Sequence, residues 1–136
     1  MQIASIVLAY LLAGDCSIQG SWKVISLEAS GQAVPAKDFK NVKWTLVVRK
    51  NRFVYTTGAV RFEGNIELDQ TKEPKSFKAT ATNDMGARFE IAGIYGRVGD
   101  SLRVCLTLKE NDTPPREFKT SPDSQAILLE FARRKP

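Results

Sequence analysis

Fifteen carboxylates and two cysteines are the side chains here that could do acid–base, nucleophilic or metal chemistry, because the chain has no histidine. Without an imidazole the commonest general base is missing, and so is every Ser–His or Cys–His nucleophile. Cys16 and Cys105 are too few for a four-cysteine zinc site. In an exported protein they could form one disulfide, although spacing in sequence does not reveal separation in space. Cys105 sits within Leu102-Arg103-Val104-Cys105-Leu106, where a free cysteine behaves as a small apolar residue. Among the acids, Glu67, Asp69, Asp84, Asp100 and Asp112 are the acid–base candidates. Most of them occupy turn positions, where Asp tightens the backbone, and no spacing forces two onto one site. These residues point away from an enzyme: no catalytic residue, metal ligand or cofactor is expected.

The net charge is +5, and six bases against one acid fall between Lys37 and Arg52. A second basic group, Arg133, Arg134 and Lys135, closes the chain. Trp44, Phe53 and Tyr55 lie in or next to the first stretch, as stacking platforms for single-stranded nucleic acid would. Strand parity turns those rings inward while Lys43 and Arg49 point out. A solvated face is therefore expected, with nucleic-acid binding at most weak and sequence-blind.

The first sixteen residues are a segment apart. Ile3 to Ala13 is almost unbroken apolar sequence, long enough for the core of an export signal and too short to span a bilayer. Leu12-Ala13-Gly14-Asp15-Cys16 is similar to a lipoprotein processing site, with Asp15 intervening where a small residue would directly precede the cysteine. Two readings stay open: an export signal that could bring the chain to a membrane, or an apolar helix packed on the rest. Residues 17–136 form one domain, ample for a buried core.

The elements that must position any site are strands. Trp22–Leu27, Val42–Arg49, Arg52–Thr56, Val60–Leu68, Ser76–Thr82, Arg88–Arg97, Ser101–Leu108 and Gln125–Arg133 alternate apolar with polar residues. Between the first two, Gly31 to Lys40 offers a turn and one helical turn, with Pro35 at its start. Lys50-Asn51, Asn83-Asp84-Met85-Gly86 and Gly99-Asp100 are turn signals. A long Pro-, Asp- and Ser-rich connection from Glu110 to Ser124 has room for a short extra strand at Arg116–Lys119. Tight turns without crossover helices predict an all-β fold: an eight-stranded up-and-down antiparallel barrel, closed so that no sheet edge is exposed.

Parity places Trp22, Val24, Trp44, Leu46, Val48, Phe53, Tyr55, Phe62, Ile66, Leu68, Phe77, Phe89, Ile91, Tyr95, Leu102, Val104, Leu106, Ile127, Leu129 and Phe131 inside. A barrel of this size is either filled by its side chains or holds one small ligand. Gly64, Ala79 and Gly93 fall on inward positions of three successive strands, and with Tyr55 and Tyr95 they are the candidate ligand-binding residues. The same glycines are also what strands need in order to bend at barrel corners.

Gly20-Ser21-Trp22 resembles the Gly-x-Trp signature of lipocalins, in which the Trp closes one barrel end beneath an arginine of the last strand. The resemblance implies that pairing for Trp22 and Arg133. Nearly everything from Gly20 to Pro136 resembles, more specifically, a lipocalin-like domain family abundant in planctomycete bacteria and often found behind export signals. The match runs through Gly20–Glu28, Gly64-Asn65-Ile66-Glu67-Leu68-Asp69, Lys72-Glu73-Pro74-Lys75, Gly93-Ile94-Tyr95, Gly99–Cys105 and Pro115-Arg116-Glu117-Phe118-Lys119. Asn65, where the family tends to have Thr, and the Asp15-Cys16 start depart from it. The resemblance implies a calycin-type barrel in the cell envelope or periplasm and brings no activity with it. Two functions follow as expectations: a non-enzymatic barrel binding a small apolar molecule or lipid, or a filled barrel serving as a protein-interaction module.

Overall fold

In the computed structural model, residues 18–39, 43–108 and 114–134 are described. The apolar segment 1–16, with Cys16 and both readings of it, lies outside them, as does Asp112.

Among the described residues the chain forms nine strands: β1 (Gly20–Ala29), β2 (Gln32–Ala33), β3 (Trp44–Arg49), β4 (Arg52–Thr57), β5 (Val60–Asp69), β6 (Ser76–Asn83), β7 (Arg88–Val98), β8 (Ser101–Leu108) and β9 (Ile127–Arg133). A 3₁₀ turn, Ala36–Phe39, follows Pro35. From β3 to β9 each strand pairs antiparallel with the next, and β1 pairs with both β3 and β9. Eight strands thus close on themselves, satisfying the ladder all the way round. The two-residue β2 was not expected; it pairs only with the far end of β1.

One irregularity resets the inside of the barrel. Trp22 and Val24 face Arg133 and Phe131 across the β1–β9 ladder, but the register then jumps to Ser26 opposite Glu130. Ile25 is the extra residue of this β-bulge and is 42% exposed. A bulge shifts the two-residue period by one, so Leu27 turns inward in the second half of the strand.

The expected strand at Arg116–Lys119 is absent. That stretch is irregular and lies against the outer wall, where Phe118 packs on the small buried cluster of Ile94, Cys105 and Ala126. The Arg103 guanidinium sits 4.5 Å over the Phe118 ring. Cys105 is a buried free thiol whose burial pushes its pKa up.

Candidate functional site

Inward residues behave differently at the two ends of the barrel. Toward the β3–β4 and β7–β8 turns, Trp22, Val24, Val48, Leu102 and Phe131 are fully buried. Toward the opposite end, Trp44, Leu46, Tyr55, Phe62 and Leu106 stay half-buried although they point inward, as do Ile66 and Leu68 near the β5–β6 turn. They border a cavity of about 430 Å³. No charged side chain lines it among the described residues; the wall is aliphatic and aromatic, with the tyrosines Tyr55 and Tyr95.

The closed end is a layered plug. Trp22 has no exposed surface, and its Nε1 donates to the Ile18 carbonyl at 3.0 Å. The Arg133 guanidinium stacks over the indole at 4.4 Å from the ring centroid, and that of Arg97 lies at 5.7 Å. Arg133 Nη1 also donates to the Gln19 carbonyl at 3.1 Å. Gly20 makes this approach possible: at φ 116° it adopts a conformation that L side chains rarely take, and a Cβ there would stand 2.7 Å from Arg133 Nη1. Gln19 then bridges to the β3–β4 turn, where its side-chain amide exchanges hydrogen bonds with the backbone of Lys50.

The five candidate ligand-contact residues divide. Tyr55, Ala79 and Tyr95 line the cavity; Gly64 and Gly93 do not. Each glycine is instead pressed against the neighbouring strand. A Cβ on Gly64 would overlap the Thr80 carbonyl, and one on Gly93 would overlap the Cys105 carbonyl and sit 2.9 Å from Leu106 Cα. Backbone of the neighbouring strand occupies the space a side chain would need. These are bending positions rather than a hollow in the wall.

Trp44, Phe53 and Tyr55, the rings of the basic stretch, are all turned into the barrel and border the cavity. Tyr55 lies near the middle of β4, opposite Leu46 on β3 and Phe62 on β5. Burial raises its pKa to about 12, so its hydroxyl remains protonated and available as a donor. Among the acids, Asp69 accepts from the backbone N–H and the hydroxyl of Thr71. Those two bonds hold its pKa below the ordinary carboxylate value, as a turn-closing Asp would show. Among the described residues no three His, Cys, Asp or Glu side chains gather in a metal-sized group.

Four lining residues were missed by sequence reasoning: Ile18, Leu27, Ala81 and Leu108. Ala81 and Leu108 continue the parity of Ala79 and Leu106 and could have been found that way. Leu27 is inward because of the bulge, and Ile18 precedes the first strand, so no alternation signalled either.

No family model matches the chain, and neither a curated protein nor a solved structure matches it.

Proposed function

We propose that the protein is a non-enzymatic, lipocalin-like barrel that binds a small apolar molecule or lipid in its interior. The observation that carries this reading is the cavity: about 430 Å³ within a closed eight-stranded wall, bordered by apolar and aromatic side chains. That volume falls in the range of small-molecule sites, and a site of this lining takes its affinity from apolar burial. The Trp22–Arg133 plug supports the likeness to lipocalins, since it seals one end and leaves ligand traffic to the other. The apolar segment 1–16 and the resemblance to the planctomycete family support export to the cell envelope.

The test is uptake of the neutral fluorescent probe N-phenyl-1-naphthylamine by the wild-type protein and by Ala79→Leu. Ala79 lies on the cavity wall between Ile66 and Ile91, so a leucine there would project into the space. Saturable uptake near one probe per barrel, weakened by Ala79→Leu without loss of the fold, is the expected result. A folded wild type that takes up no probe would overturn the reading in favour of an interaction module.

A further inference from the structure

Arg97 and Arg133 turn toward Trp22 at the closed end, and no charged side chain lines the cavity wall among the described residues. A ligand that carried a carboxylate into this space would bury its charge against apolar side chains, with no counter-ion among the described wall residues, at a cost of several kcal/mol. Along the wall, hydrogen-bonding capacity is confined to a few ring substituents. Tyr95 is 4% exposed and deep in the core, packed edge-on to Phe77 with ring centroids 6.5 Å apart. Tyr55 is different. It borders the cavity midway along β4, its ring lies 6.3 Å from that of Phe62, and its hydroxyl makes no hydrogen bond to any other described residue. A donor that a bound apolar ligand seals from water is costly if left unmatched, and a ligand acceptor placed against it avoids that cost.

Building on the reading of the barrel as a binding protein, we infer that the cavity selects neutral ligands that bring a hydrogen-bond acceptor to the Tyr55 hydroxyl, and rejects carboxylates. The ligand class is an apolar ester, ketone, ether or alcohol rather than a free fatty acid. The cavity has the volume of about fourteen waters at ~30 Å³ each, which suits a molecule with on the order of a dozen non-hydrogen atoms. Because the phenol stays protonated far above neutrality, Tyr55 acts as a donor throughout the physiological range. A carboxylic acid should enter only in its neutral form, so its affinity should rise as pH falls through about 4.5, the ordinary carboxyl range.

The experiment displaces N-phenyl-1-naphthylamine with methyl undecanoate, undecanoate and n-tridecane, in wild type and in Tyr55→Phe. At pH 8 the ester should bind at least about 100-fold more tightly than the carboxylate. Lowering the pH below about 4.5 should close most of that gap. Tyr55→Phe should weaken the ester about three- to tenfold, the scale of one neutral hydrogen bond, and leave tridecane within about twofold. Equal ester and carboxylate affinities at pH 8 would overturn the inference while leaving the binding cavity standing. So would a mutation that weakens tridecane as much as the ester, because the ring and not the hydroxyl would then be responsible. Failure of the probe and of tridecane to bind would sink the cavity reading itself, and this inference with it. If Tyr55→Phe does not fold, the ester-to-carboxylate ratio in the wild type still decides.

Discussion

Replacing Gly93 by alanine adds one methyl group to β7, and the neighbouring strand decides what that costs. The new Cβ would overlap the Cys105 carbonyl oxygen and stand 2.9 Å from Leu106 Cα and 3.0 Å from the Cys105 carbonyl carbon. All three are backbone atoms of β8, locked in the ladder that pairs Gly93 with Leu106. No rotamer change can relieve the contact; the strands themselves must move apart. Overpacking typically costs about 1–3 kcal/mol, and with a rigid neighbour a loss near the upper end, about 3 kcal/mol, is expected. For a domain of this size that corresponds to a fall in Tm of about 10 °C. Gly96→Ala, on the same strand, is the control. Its Cβ would meet only the Phe118 ring, at 3.5 Å, an ordinary contact. It should therefore match the wild type or gain up to about 1 kcal/mol from the less flexible unfolded chain. Urea and thermal unfolding of both variants give the comparison. Probe uptake by Gly93→Ala should survive in the folded fraction, since Gly93 does not border the cavity. A Gly93→Ala protein within about 0.5 kcal/mol of the wild type, the ordinary scatter of surface substitutions, would refute the close-approach argument.

Two further outcomes follow from the plug and the wall. Trp22→Ala should cost about 3–5 kcal/mol in urea unfolding, because it empties a fully buried site and strips Arg133 of its ring; a loss under about 1 kcal/mol would contradict the plug. Tyr55 should titrate near 12 in an ultraviolet phenolate titration of the folded protein, against about 10 when unfolded. Because the folded pKa is the higher one, the associated stability is complete below pH 10 and lost as pH rises from about 10 to about 12, at no more than about 1.4 kcal/mol per unit. Tyr55→Phe should flatten that part of the stability curve, and a phenolate that forms near pH 10 would show the ring to be wet.

Alternation along the chain was enough to determine the strands, their antiparallel order and most of the inward face. Period two is a local property: if Leu46 faces in, Val48 does too, whatever lies across the ladder. The likeness of Gly20-Ser21-Trp22 to a known signature also paired Trp22 with Arg133, and the two are cross-strand partners in the closed barrel. What depended on the neighbouring strand could not be read in this way. The bulge at Ile25 moved Leu27 inward, since an extra residue in one strand is defined only against the register of its partner. Gly64 and Gly93 looked the same in sequence whether they opened a hollow or let backbones touch, and the close approach of the β6 and β8 backbones decided for contact. Phe118, which the sequence offered as part of an extra strand, became a lid on Ile94 and Cys105 because the outer wall there is apolar and must be covered. Hollow or filled was likewise beyond composition. The inward list is equally bulky in both cases, and only the closure of the ring and the packing of its side chains left a cavity of about 430 Å³ inside.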